Sequence, residues 1–69
     1  MILILDDHPL ARQGLTSIIQ LYRPEEPVVQ AGCVDEAIGQ MRVRAADMAL
    51  VDVDLGKESG FSFVEWLRQ

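Results

Sequence analysis

The chain is poor in several things. Cys33 is its only cysteine, which excludes an internal disulfide and fits a reducing setting. No second cysteine or histidine accompanies it, so Cys33 reads as a small buried filler and not as a nucleophile. Positive charge is scarce: six Lys and Arg stand against eleven Asp and Glu, for a net charge of −5 and a pI near 4.5. A nucleic-acid-binding face would want the reverse. No apolar run approaches the length needed to cross a bilayer. The opening Met1-Ile2-Leu3-Ile4-Leu5 lacks the basic start and small-residue cleavage site of a signal peptide. Repeats, low-complexity tracts and an interdomain linker are absent too. These gaps predict one small, soluble, cytoplasmic domain with no membrane partner. At 69 residues such a domain buries only about 60% of its unfolded surface, so its core is marginal. An apolar content of 49% and a charged content of 25% still argue for a globular fold over disorder.

What is present is acid at the ends of apolar runs. Ile2-Leu3-Ile4-Leu5 ends in Asp6-Asp7, and Met48-Ala49-Leu50-Val51 ends in Asp52. Carboxylates are depleted from strand interiors and costly to bury, so an acid ending such a strand belongs at the rim of a sheet. If the two strands are parallel neighbours, Asp6, Asp7 and Asp52 meet at one end. Close like charges oppose their joint ionisation unless a cation neutralises them. Oxygen-only clusters suit Mg²⁺, which keeps several waters and is often held by one or two carboxylates plus a phosphate. The combination points to phosphoryl chemistry on an aspartate.

The rest of the chain alternates strand and helix signals. Asp6-Asp7-His8-Pro9 starts a helix, with Asp7 or His8 near the cap and Pro9 in the first turn. At helical spacing Leu10, Ala11, Gly14, Leu15, Ile18, Ile19, Leu21 and Tyr22 fill one half of the wheel, predicting an amphipathic helix laid on a sheet and ended by Pro24. Val28 to Ala31, entered through Pro27 and interrupted by Gln30, reads as an edge strand. A second helix is predicted from about Asp35 to Arg44, with Asp35 and Glu36 at its favourable end. Met48 to Asp52 is the third strand, Gly56 to Gly60 a polar loop, and a last helix begins near Ser59 or Gly60. The order βαβαβα implies a parallel sheet with right-handed crossovers and helices on both faces. In such sheets the site lies at the carboxyl ends of the strands, where the strand order reverses. In a 2-1-3 arrangement strands one and three flank that point.

The run Ile4-Leu5-Asp6-Asp7-His8-Pro9-Leu10-Ala11-Arg12-Gln13-Gly14-Leu15, with Asp47-Met48-Ala49-Leu50-Val51-Asp52-Val53-Asp54-Leu55 and then Gly60, resembles the receiver domain of bacterial two-component response regulators, especially those with a LuxR/NarL-type helix-turn-helix output domain. The resemblance implies a flavodoxin-like fold, here residues 1–69 covering the first three of five βα units. It implies Asp52 as phosphoacceptor, Asp7 as direct Mg²⁺ ligand, Asp6 as a second acid acting through water, and the Asp54 main-chain carbonyl as a further ligand. It also implies a sensor histidine kinase as phosphoryl donor and a module that assists its own phosphorylation without being an enzyme in the usual sense. DNA is reached only through an output domain outside these residues. Two departures stand out. Gly56 occupies a position where the family usually has proline, which should loosen the loop. The family's later Thr or Ser and Lys have no counterpart, since the sole lysine, Lys57, is at the wrong position.

Blander readings apply to several residues. Asp6-Asp7 alone would be a capped strand-to-helix turn; with Asp52 that reading recedes. His8 reads as a partly exposed cap residue, Asp54 as a loop acid, Lys57 as solvent-facing, Arg42 and Arg44 as a solvated face, and Phe63 and Trp66 as core or interface. Two other functional classes remain. One is a non-catalytic interaction fragment that forms a homodimer through an exposed third-strand edge backed by Leu50 and Val51. The other is a Mg²⁺-dependent phosphatase or phosphotransferase, for which no substrate-binding residues are visible.

Overall fold

A computed structural model describes residues 1–69. Its elements are β1 (Ile2–Leu5), α1 (Pro9–Tyr22), β2 (Val28–Ala31), α2 (Val34–Val43), β3 (Met48–Val51), β4 (Asp54–Leu55), β5 (Glu58–Ser59) and α3 (Gly60–Leu67). The three longer strands form a parallel sheet in the order β2-β1-β3, as the alternation of elements and the resemblance imply. β1 lies between the other two and all four of its residues are buried, which is why its sequence is apolar without alternation. β2 is an edge strand, as its proline entry and polar interruption predict.

The register aligns Leu3 with Val29 and Ala49, and Leu5 with Ala31 and Val51. These residues share one face, on which α2 and α3 are packed. The resulting core joins Leu3, Leu5, Ala31, Val34, Ala37, Leu55 and Phe63, with Trp66 against it. Phe63 and Trp66 stack with ring centroids 6.0 Å apart, and the Arg42 guanidinium lies 6.0 Å above the Trp66 ring. Arg42 thus caps an aromatic, where the sequence suggested only a solvated face.

The opposite face is less completely covered. α1 sits over β1 and β2, and none of its residues is fully buried. Leu15 and Ile19 are half-buried, but Leu10, Ile18, Leu21 and Tyr22 are exposed. The apolar half-wheel predicted to lie on the sheet therefore does so only in part. On the same face Met48 is 57% exposed and Leu50 37%. The physical cause is that α1 spans the β1–β2 half of the sheet and leaves β3 bare.

Two further differences concern loops. The segment predicted as a loose polar loop contains a small antiparallel hairpin, β4 paired with β5, turning at Gly56-Lys57. Gly56 has φ +74°, the value a two-residue hairpin turn needs at its first central position, so glycine here tightens the loop. Cys33 is half-buried at the N-cap of α2, not enclosed in the core. At the other end of the sheet the Met1 amine donates to Asp47 Oδ2 at 2.6 Å and lies 2.8 Å from Glu26 Oε1, closing the amino-terminal rim.

Candidate functional site

The parallel ladders continue one residue past the strands. Asp6 N donates to Ala31 O at 3.1 Å, and Asp52 N donates to Leu5 O at 2.8 Å. Register alone therefore sets Asp52 level with Asp6 at the carboxyl end of the sheet. Asp6, Asp7, His8 and Asp52 each bring one ligand atom into a group spanning at most 4.8 Å. The first three arrive on the turn between β1 and α1, and Asp52 on the turn after β3.

Each acid has a distinct setting. The Asp6 carboxylate accepts from its own turn, with Oδ1 2.9 Å from His8 N and 3.1 Å from His8 Nδ1. Asp52 Oδ1 accepts from Asp54 N at 3.1 Å, which leaves Oδ2 without a protein donor. Asp7 Oδ1 is buried and has no hydrogen-bond partner. His8 Nδ1 lies 2.9 Å from it, close enough for charge attraction but not aligned as a hydrogen bond. No lysine or arginine nitrogen lies within ion-pairing distance of these three carboxylates; His8 is their only cationic neighbour. The Asp6 hydrogen bond and then the nearby Asp7 charge raise the His8 pKa above its ordinary 6.5. A buried orphan oxygen beside two further carboxylates fits a hard divalent cation such as Mg²⁺.

The surroundings shape this cluster. A methyl group on Gly56 would approach Asp7 Oδ2 to 3.3 Å, so the hairpin turn closes over that side chain. Glu58 on β5 accepts from Val34 N at 2.9 Å and pins the hairpin to the start of α2. Gly60 packs its bare α-carbon against the Asp52 carbonyl, with Gly60 N donating to Val53 O at 3.1 Å. That contact gives the glycine eight residues after Asp52 a steric reason. His8 is the exposed N-cap of α1, though its side chain turns to the acids and makes no cap bond. Asp54 is exposed, and its main chain runs beside Asp52. Lys57 is exposed on the hairpin turn, as expected.

Sequence reasoning missed Arg12. It falls on the polar half of α1, yet its Nη1 donates to Asp6 O at 2.7 Å and its Nε to Gln30 Oε1 at 3.3 Å. The available signal was Gln30, the one polar residue in β2, at the strand's carboxyl half.

A three-stranded parallel sheet with paired acids at the end of one strand and a third acid at the end of its neighbour defines a class of α/β domain with an acidic site at the carboxyl edge of its sheet. The comparisons with known proteins agree. Residues 2–69 match the response regulator receiver domain family, and the chain belongs to it. Among curated relatives, the sensory transduction protein LytT of Enterococcus faecalis is 36% identical over 66 residues, covering 96% of this chain and 27% of the relative. The transcriptional activator protein ExaE of Pseudomonas putida is 35% identical, and the nitrate/nitrite response regulator protein NarP of Escherichia coli 32%, each over 99% of this chain and 32% of the relative. The chain thus spans about a third or less of the length of these relatives. No solved structure is matched. As a receiver domain the chain belongs to two-component signalling. No helix is long and apolar enough to cross a membrane.

Proposed function

We propose that Asp52 accepts a phosphoryl group from a sensor histidine kinase while Asp6, Asp7, Asp52 and the Asp54 main-chain carbonyl hold Mg²⁺. The observation that carries this reading is the buried, unpartnered Asp7 Oδ1 in a cluster whose fourth member is the strand-end Asp52. With Oδ1 engaged by Asp54 N, Asp52 presents Oδ2 as nucleophile. One carboxylate oxygen bonds to phosphorus as the phosphorus–nitrogen bond of the phosphohistidine breaks, and the departing imidazole takes up a proton. Mg²⁺ held in this cluster would supply positive charge against the transferring oxygens. Asp7 and Asp6 would hold that ion. The phosphorylated domain then controls a DNA-binding transcription output domain supplied by residues outside these 69, in the cytoplasm. Relatives named as a transcriptional activator and a nitrate/nitrite regulator support that output.

Intact-mass analysis after incubation with acetyl phosphate and Mg²⁺ tests the proposal. One phosphoryl adduct is expected, absent without Mg²⁺ and absent in Asp52→Asn. A Mg²⁺-dependent adduct persisting in that variant sinks the assignment.

A second reading rests on the bare edge of β3, where Met48 and Leu50 are exposed beside Ile18 and Tyr22. Antiparallel pairing of two such edges would form a homodimer. Pairing centred between Ala49 and Leu50 sets Asp47 opposite Asp52 of the second copy, so salt should strengthen it. Sedimentation that stays monomeric at high protein and salt concentration would exclude it.

A further inference from the structure

We propose that Arg12 is a positioning residue of the acid site, fixing the main chain that carries Asp6 and Asp7 and thereby their affinity for a divalent cation. The proposal rests on the phosphoacceptor reading and adds to it a residue outside the acid cluster.

The argument begins with the peptide planes around Asp6. The plane before it is held by the sheet, through Asp6 N donating to Ala31 O. The plane after it lies beyond β1 and lacks a ladder partner for its carbonyl. Arg12 Nη1 supplies one at 2.7 Å. Because the peptide is rigid, holding the Asp6 oxygen also fixes the Asp7 N–H and the direction in which Asp7 leaves the strand. A charge-assisted bond is the strong kind for this purpose.

The surroundings are arranged for that contact. Arg12 N donates to His8 O at 3.0 Å, so the residue sits in the first turn of α1, directly above the acids' loop. Its Nε is occupied by Gln30, which orients the guanidinium fork from the neighbouring strand. A methyl group at Gly32 would stand 3.1 Å from Nη1, so the bare glycine leaves the guanidinium its path. No carboxylate is within ion-pairing distance of Arg12; its charge is spent on a main-chain carbonyl and a side-chain amide. An arginine used this way, half-buried and without an acidic partner, is doing more than solvating a helix.

The test compares wild type, Arg12→Ala, Arg12→Lys and Gly32→Ala by titration calorimetry with Mg²⁺, urea unfolding and amide chemical shifts. Arg12→Ala should weaken Mg²⁺ binding about tenfold, the low end for groups that orient ligands from outside the coordination shell. Arg12→Lys, which keeps the charge but lacks the fixed fork that meets Asp6 O and Gln30 at once, should recover part of that loss. Gly32→Ala keeps the arginine but crowds it, and should fall between wild type and Arg12→Ala. Phosphorylation by acetyl phosphate should return to within about twofold of wild type at saturating Mg²⁺, because the nucleophile is untouched. Without metal, the amide signals of Asp7 and His8 should move in Arg12→Lys. Should Arg12→Ala not fold, the lysine and Gly32 variants decide. Wild type that binds no Mg²⁺ overturns the phosphoacceptor reading and this proposal together. Wild-type binding left unchanged in Arg12→Lys and Gly32→Ala overturns this proposal alone.

Discussion

Replacing Gly60 by alanine should be among the most damaging single-methyl changes in the chain. The added carbon would overlap the Asp52 carbonyl oxygen and stand 2.7 Å from Val51 Cγ1 and 2.9 Å from the Asp52 carbonyl carbon. Two of these three neighbours are main chain and cannot rotate away. Overpacking a close-fitted site costs about 1–3 kcal/mol, and a backbone obstacle places Gly60→Ala near 3 kcal/mol. A domain of this size has roughly 3–10 kcal/mol in total, so the loss is a third of its stability or more. Gly14 and Gly39 provide the contrast. Both lie inside helices, and a methyl on either meets nothing within 4 Å. There alanine should stabilise by about 0.5–1 kcal/mol, since glycine loses more backbone freedom on folding. Urea unfolding followed by Trp66 fluorescence and far-ultraviolet circular dichroism measures all three. Gly60→Ala within about 0.5 kcal/mol of wild type, or the same sign for all three, would refute the steric argument.

Other outcomes follow from the acids, the amino terminus and the core. Without metal, Asp7→Asn should raise stability by roughly 1 kcal/mol by relieving repulsion with Asp6 and Asp52, and with excess Mg²⁺ the order should reverse; paired urea curves check both signs. The Met1 amine is held above its ordinary pKa of 8.0 by hydrogen bonds to Asp47 and Glu26, and the same amine holds Asp47 below its ordinary 3.8. The raised amine contributes stability that is complete below pH 8 and lost as pH rises through its folded value. The lowered Asp47 contributes stability present above pH 3.8 and lost as pH falls through its folded value. Thermal midpoints should therefore slope down above pH 8, modestly because Asp47 is exposed, and N-terminal acetylation should remove that slope. Phe63→Ala, which empties a fully buried ring site, should cost about 3–5 kcal/mol and abolish cooperative unfolding of so small a domain.

How much of this was legible in the sequence depends on what kind of contact is involved. β1 announced itself because burial on both faces demands four consecutive apolar residues, and β3 because its run ends at an acid. Once both are parallel neighbours in one register, Asp6 and Asp52 must meet, so the centre of the site was readable. The hairpin of β4 and β5 was not, because two-residue strands carry no periodicity; only Gly56 marked the turn. The half-covered α1 was misread because amphipathicity tells which side of a helix is apolar, not how much sheet lies beneath it. Arg12 and Glu58 escaped because each bonds main chain outside its own element, and main-chain acceptors and donors leave no pattern in sequence.

The central position of β1 also dictates when the site comes into being. Asp6 and Asp7 precede both partner strands in the chain: their strand has no partner until Val28 to Ala31 has emerged, and no second one until Met48 to Val51 follows. Both pairings are non-local, and the entropy of closing each connection must be met before the sheet returns anything. The acid pair therefore waits in water until both partner strands have been made. Its third carboxylate and the glycine that seats it arrive together, so on a ribosome metal affinity should appear late and abruptly, as the segment around Gly60 clears the exit.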